Sequence, residues 1–324
     1  MELLVYFFLL FIAIYLALTK DKRDYSAKFF FFFSLSCLLL SLTVRLSSFD
    51  ADIVNYASSM LWEKINFYIL RETVVWLSLR HIYKITGSPV ATFVTSDMIL
   101  LTFLFLFARH LKLPRYALFG LLIFFPIILG FQNVYRQFAA TIFLFGALAY
   151  IRENSIKGLL LFLMAALCHN VALIFLPLLI YIRHSRGYKL LSFLVAILIV
   201  AAMKFTAHTK SAVSTGLPME LAYLSVLLTL IFFIIGIYQL RVNQRNRFDI
   251  QQLLIFLIIQ SGAVIILASA PAERIGMLSL VLIYPMIVKL IETKFKNKVS
   301  LRLSILFLGF IPILVFQSTR DFLL

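Results

Sequence analysis

The chain has 324 residues, of which 63% are hydrophobic and 14% charged, and its mean hydropathy is +1.01. A soluble domain has about half apolar and about a quarter charged residues, so this composition excludes an ordinary soluble protein. The formal net charge of +16 does not indicate nucleic-acid binding, because the basic residues lie in short loops between apolar runs. Anionic lipid headgroups and the membrane potential account for such a bias.

Apolar runs of nearly membrane-spanning length follow one another along the whole chain. They do not alternate with period two, so they predict transmembrane helices, each needing roughly 20 residues, and not a β-barrel. The runs are 3–19, 29–45, 90–108, 116–131, 137–151, 190–205, 221–240, 251–270, 275–291 and 301–316. We therefore expect an all-α, polytopic transmembrane bundle with about ten crossings. We expect it to form one integral membrane domain over residues 1–324.

The basic loops set the predicted topology. Basic residues follow the first apolar run and do not precede it, which predicts a retained first helix with its N-terminus outside. Loops rich in lysine and arginine are placed inside: 20–28, 109–115, 152–157, 183–189, 241–247 and 294–302. The other loops then lie outside: 46–66, 132–136, 206–220 and 271–274.

Two segments do not fit single crossings. Residues 67–86 carry Arg71 and Glu72 among other charges, and they predict an amphipathic helix at the membrane interface. Residues 158–182 have basic loops at both ends, so one crossing would move later basic clusters outside. A broken, hairpin-like or re-entrant pair of short helices with His169 at its apex avoids this, since irregular backbone is tolerated where it lines a protein cavity.

Arg136 is the first candidate for a functional side chain. It lies between two apolar runs at a predicted outer turn, next to Asn133 and Gln137. One interpretation is an arginine that snorkels to the lipid headgroups. The polar neighbours and the outer position favour the other interpretation, a functional group in a wet cavity.

His169 is the second candidate. A histidine in a helix is often a satisfied core residue, but an imidazole at membrane depth is costly without a partner. Histidine also titrates near neutral pH, which suits it to accept a proton. The two cysteines, Cys37 and Cys168, both lie in apolar runs and indicate neither a disulfide framework nor a metal cluster.

Further charged residues leave alternatives open. Arg274 and Glu273 lie together at a predicted outer helix end, either as functional groups or as a local ion pair. Asp50 and Asp52 lie in an outer loop, where carboxylates often form only a solvated face. Asp97 falls inside an apolar run and is expected to pair with its neighbour Ser96 or with another helix.

Nucleotide-binding and metal-binding motifs are not recognisable in the sequence. Asp50 and Asp52 have the Asp-x-Asp form, but a lone three-residue match is a weak indication. The sequence therefore shows no nucleotide site.

The order of these motifs resembles the EpsG-like branch of Wzy-type polysaccharide polymerases. The resemblance rests on residues 133–140 with their Arg-Gln-x-x-Ala pattern, on residues 165–177 around His169, on residues 50–56, and on Glu273-Arg274. The chain departs from the family pattern in having Asn170 after the histidine, where the family often has serine. It also separates an arginine–aspartate dipeptide into Arg45 and Asp50.

The resemblance implies a GT-C-like glycosyltransferase at the outer face of the bacterial inner membrane. Such an enzyme joins polyprenyl-diphosphate-linked oligosaccharide repeats into O-antigen, capsule or exopolysaccharide, without metal or nucleotide. Arg136 and Arg274 are then candidates to clamp the diphosphate. His169, Asp50 or Asp52 would take the acceptor's proton. The expected substrate-binding residues are Tyr56, Asn133, Tyr135, Gln137, Glu273, Arg71 and Glu72.

The implied partners are the lipid-linked donor and acceptor, the bilayer and a chain-length regulator. A flippase for lipid-linked oligosaccharides is one alternative, but it predicts a two-fold internal repeat that the sequence does not show. A ligase would use the same diphosphate clamp, so only the resemblance favours a polymerase over it. An acyltransferase would also use a membrane histidine, but it has less use for two outer arginines.

Overall fold

In the computed structural model of the protein, every regular element is a helix within the residues that are described. Those residues are 2–19, 25–47, 51–61, 72–132, 134–183, 194, 198, 219–239, 247–267, 270–295 and 298–315. The α-helices are α1 (Glu2–Leu18), α2 (Ala27–Ser47), α3 (Ala51–Ser59), α4 (Thr73–Thr86), α5 (Pro89–His110), α6 (Arg115–Leu122), α7 (Phe125–Gln132), α8 (Tyr135–Tyr150), α9 (Ser155–Cys168), α10 (Leu176–Arg183), α11 (Met219–Gln239), α12 (Arg247–Leu267), α13 (Ala270–Lys294) and α14 (Val299–Val315). A 3₁₀ helix, Asn170–Phe175, precedes α10.

Three helical segments are long and apolar enough to cross a membrane by themselves. They are Ala27–Ser47, Pro89–His110 and Arg274–Thr293, and the bent pair α6–α7 is a fourth if it counts as one span. Several other apolar helices in the described residues are shorter than a full span. The predicted all-α membrane class is confirmed, whereas about ten crossings and a GT-C-like arrangement stay predictions. The predicted run 190–205 falls almost entirely outside the described residues.

The chain divides into two compact units, residues 1–170 with 297–324, and residues 171–296. In the first unit the most extensive helix contact is between α8 and α9, which are joined by the short turn 151–154. Gly158 on α9 makes this contact close: an added Cβ would lie 2.7 Å from the Cα of Ile151. The two helices therefore form a tight antiparallel hairpin, with the start of α8 and the end of α9 at the same end.

Arg45 on α2 and Asp97 on α5 form a buried ion pair inside the first unit. The Nε of Arg45 lies 3.0 Å from Oδ2 of Asp97, and Ser41 donates to the same oxygen at 2.6 Å. The NH1 group of Arg45 donates to the carbonyl of Phe131 near the end of α7, at 2.8 Å. The expected pairing of Asp97 with a neighbouring helix is confirmed, because a carboxylate at this depth needs a charged or hydrogen-bonding partner.

The apolar run 116–131, predicted as a crossing, forms a bent pair of helices, and its course across the membrane stays a prediction. The chain breaks at residues 123–124, and the two halves, α6 and α7, are bent by 44°. Pro126 is the second residue of α7. Proline has no N–H to continue the preceding hydrogen-bond ladder, and it is well tolerated only in the first turn of a helix.

The predicted outer loop 46–66 contains a short helix, α3. Ile53, Tyr56 and Met60 are buried, and their spacing of three and four residues places them on one face. That apolar face packs against α4. Because polar residues lie between these three, the composition of the segment indicated a loop and not a helix.

The predicted helix at 67–86 is confirmed over Thr73–Thr86, where α4 packs against α5 and α9. Its position at the membrane interface stays a prediction. The predicted break at His169 is also present: α9 ends at Cys168, and His169 has extended backbone, with φ −157° and ψ 122°. A hairpin or re-entrant course for this region stays a prediction.

The second unit contains α11, α12 and α13, which pack against one another. Helix α13 begins at Ala270, so residues 271–274, predicted as an outer loop, form the start of this helix, which runs through Pro285. Gly276 lets α11 approach closely, since an added Cβ would lie 2.5 Å from the Cβ of Tyr223. Arg274 is half-buried in the first turn of α13.

Candidate functional site

Glu72 is a buried carboxylate at the centre of the candidate site. It immediately precedes α4, but its side chain makes no hydrogen bond to the start of that helix. Only 1% of the side chain is exposed. One carboxylate oxygen, Oε2, accepts a hydrogen bond from Arg136, and the other, Oε1, lies 3.7 Å from Nδ1 of His169. Glu72 therefore connects the two residues that the sequence singled out.

Arg136 is held on several sides. It is the second residue of α8, and its Nε donates to the hydroxyl of Tyr56 at 2.9 Å while its NH1 donates to Glu72. Its guanidinium carbon lies 5.6 Å from the centre of the Tyr56 ring and 5.5 Å from that of Trp76. With 15% of its side chain exposed, Arg136 does not have the solvated head of a snorkelling arginine.

His169 reaches the site from the end of α9, the second helix of the α8–α9 hairpin. Its side chain is 5% exposed, and the extended backbone at this residue ends α9 next to the start of α8. The sequence offered no nearby carboxylate for this histidine, but the fold supplies Glu72. A carboxylate within hydrogen-bond distance of one ring nitrogen can orient an imidazole, and Glu72 is close to that position.

The buried Arg45–Asp97 ion pair lies beside Glu72, Arg136 and His169, which together with Tyr56 and Trp76 are called the Glu72 cluster below. The guanidinium carbon of Arg45 is 5.2 Å from the centre of the Tyr135 ring, which in turn lies 6.4 Å from the ring of Tyr56. Tyr135 immediately precedes Arg136 in α8. The Arg45–Asp97 pair therefore supports the start of the helix that presents Arg136.

The structure brings together four of the predicted site residues: His169, Arg136, Tyr56 and Glu72. Tyr135 lies beside them, and Gln137 is buried on α8. Arg274 belongs to the second unit. The other predicted residues lie outside the described residues, wholly or in their side chains: Asp50, Asp52, Arg71, Asn133 and Glu273.

Sequence reasoning missed Trp76 and understated Glu72. Trp76 is buried, and its ring lies 5.0 Å from that of Tyr56. It follows Glu72 by four residues, so the two come from one turn of chain at the start of α4. A tryptophan at this spacing from an acidic residue inside a largely apolar helix was the available signal.

Among the described residues, no group of three histidine, cysteine, aspartate or glutamate side chains is arranged to hold a metal ion. The side chains present offer different chemistry. A guanidinium can bind a phosphate oxygen bidentately, and an imidazole can accept a proton at neutral pH. The carboxylate of Glu72 binds Arg136 and lies near His169 in a buried setting, where electrostatic interactions are stronger than in water.

Comparison with known proteins identifies one family. The model of the EpsG family matches residues 28–323, nearly the whole chain. No curated protein and no solved structure matches the chain. The matched range includes every residue of the Glu72 cluster.

Proposed function

The chain belongs to the EpsG family, and from this premise we propose that it polymerises polyprenyl-diphosphate-linked oligosaccharide repeats. Family membership indicates a membrane protein of polysaccharide synthesis. The more specific proposal is a glycosyltransferase for O-antigen, capsule or exopolysaccharide. One structural observation supports it most strongly: Arg136 and His169 both lie against the buried carboxylate of Glu72.

In the proposed reaction, Arg136 binds the diphosphate of the donor. Negative charge grows on the bridging oxygen as the bond between the sugar C1 and the diphosphate breaks. A guanidinium held by Tyr56 and Trp76 is preorganised to stabilise that charge, and preorganised donors commonly contribute about 100-fold or more in rate. Because the leaving group is a lipid diphosphate, the reaction as proposed requires no nucleotide.

His169 acts as the general base. The acceptor hydroxyl attacks C1, its O–H bond breaks, and the proton goes to Nε2 of His169 while Nδ1 faces Glu72. A new C1–O bond forms as the polyprenyl diphosphate leaves with the bonding electron pair. General-base catalysis of this kind typically contributes about 10²–10⁴-fold.

Other predicted residues keep their proposed roles. Arg274 would complete the diphosphate clamp, and Asp50 or Asp52 would be an alternative base. The remaining candidates would contact sugar or lipid: Asn133, Tyr135, Gln137, Glu273 and Arg71. We further propose that the site faces the outside of the bacterial inner membrane, with a chain-length regulator as a partner.

The test uses the host's own repeat unit, which removes any doubt about the substrate. Cells lacking the gene should accumulate single lipid-linked repeats at the outer face. The wild-type protein should restore long chains, whereas Arg136→Ala and His169→Ala should not, and the exposed Glu153→Gln control should. Membrane levels of each variant are measured in parallel.

Two outcomes would overturn the proposal. Accumulation of single repeats on the inner face would indicate a flippase. Long lipid-linked chains that are made but not transferred to their final acceptor would indicate a ligase. Normal chain length in the Arg136→Ala cells would remove Arg136 from the mechanism.

A further inference from the structure

We propose that Glu72 couples donor binding to activation of the base, by passing from Arg136 to His169 when the donor's diphosphate arrives. This inference rests on the proposed function. Glu72 is assigned as a positioning residue, acting through the two groups that it contacts. In the proposed sequence of events the pairing with Arg136 comes first, and the contact with His169 follows when the diphosphate binds.

The carboxylate of Glu72 is satisfied on one side only. Oε2 is bound to Arg136, whereas Oε1 is buried and has no hydrogen-bond partner among the described residues. Nδ1 of His169 lies 3.7 Å from Oε1, which is too long for a hydrogen bond. A shift of about 1 Å would bring the pair to hydrogen-bond distance. A buried acceptor left unpaired is unfavourable, so the site favours that shift.

Diphosphate and carboxylate compete for the same guanidinium. Arginine binds phosphate oxygens with the same planar fork that it offers to a carboxylate. A diphosphate carries more negative charge than Glu72, so it is the stronger partner for Arg136. Once displaced, Glu72 remains buried, and His169 is the adjacent side chain able to donate to it.

The displaced carboxylate then prepares His169 for its role. A hydrogen bond from Nδ1–H to Glu72 fixes the ring and stabilises the imidazolium that forms when Nε2 takes the proton. In the absence of donor, Glu72 is engaged by Arg136 and this support is weaker. The arrangement would restrict a strong base to the donor-bound enzyme.

The test is to measure binding and turnover separately in Glu72→Gln. The probe is a polyprenyl diphosphate that carries no sugar, titrated against the purified full chain. Removing the competing charge should tighten binding on the order of tenfold, as expected when one charged hydrogen bond no longer has to be broken. Elongation should fall by about 100-fold, because the base loses its support. A merely structural role would weaken both.

Matched variants make the result specific. Glu153→Gln is the same chemical change at an exposed glutamate that pairs with His110 at 3.1 Å, and it should alter neither quantity. Glu72→Asp keeps the charge and should return binding to the wild-type value. If Glu72→Gln binds the probe equally or more weakly, or binds more tightly yet elongates normally, the coupling is overturned.

A measurement on the wild-type chain is independent of variant folding. Nitrogen NMR of the imidazoles, with His169 assigned by its loss in His169→Asn, should show a stronger Nδ1–H hydrogen bond after the probe is added. An unchanged signal at saturating probe contradicts the transfer. Because none of these readouts except elongation needs a polymer, failure of the polymerase proposal and failure of the coupling are distinguishable.

Discussion

Asp97 is held by Arg45 at both of its carboxylate oxygens, in the buried contact between α5 and α2. Neither side chain has more than 1% of its surface exposed. The guanidinium also lies 4.8 Å from the centre of the Phe93 ring. An ion pair removed this completely from solvent depends on both partners, because either charge alone would be left uncompensated.

Asp97→Asn should therefore destabilise the protein by about 3–5 kcal/mol, the usual effect of removing one partner from a buried pair. Thermal unfolding in detergent would measure this as a fall in Tm. Glu153→Gln, which breaks an exposed pair, should leave Tm nearly unchanged. Equal Tm values for the two variants would show that the buried pair contributes little.

Arg136→Lys should lower polymerisation by about 100-fold while the protein remains folded, because lysine is a point charge that cannot bind an oxyanion bidentately. The chain-length distribution of exported polysaccharide gives the readout. Arg115→Lys is the matched change at another arginine, one that contacts the ring of Phe29 away from the Glu72 cluster. Activity of Arg136→Lys at the level of Arg115→Lys would argue against a bidentate contact.

Tyr56→Phe should reduce turnover by about ten- to hundredfold, the effect of losing one hydrogen bond to a charged group. The phenol oxygen accepts from Nε of Arg136 at 2.9 Å, whereas the ring stays against Trp76. Initial rates over a range of donor concentrations would separate orientation from affinity. A loss as large as that in Arg136→Ala would mean that the hydroxyl itself takes part in chemistry.

Gly158→Ala should destabilise the α8–α9 hairpin by about 1–3 kcal/mol, as expected for overpacking. The new Cβ would lie 2.7 Å from the backbone of Ile151, which cannot move aside as a flexible side chain could. Gly262→Ala is the control, since nothing lies within 4 Å of its added Cβ. Comparing the Tm of the two variants checks the prediction, and a loss in Gly262→Ala alone would reverse it.

The helical membrane class and much of the candidate site were predictable from the sequence. Arg136 and His169 were recognisable because charged and imidazole groups are rare within apolar runs and require a reason. The break at His169 followed from the basic loops on both sides of residues 158–182. These features are local in sequence, or follow from a charge rule that applies along the whole chain.

Partnerships between distant residues were not predictable. Glu72 was expected on an interfacial helix among other charges, and nothing local indicated that it would reach Arg136, 64 residues away. The partner of Asp97 was similarly open, because many arginines follow apolar runs. Such pairings depend on which helices pack together. The hydrophobic periodicity of one sequence indicates which face of a helix is buried, but not which other helix packs against it.

The two consecutive residues at the start of α8 lie against two different ion pairs. Tyr135 packs against Arg45 of one pair, and Arg136 belongs to the other. Helix termini usually fray, with opening free energies near zero and rapid amide hydrogen exchange. The first turn of α8, held from both sides, should instead open rarely, so the amides of Gln137 and Phe138, which donate to the carbonyl of Val134, should exchange more slowly than those at an ordinary helix end.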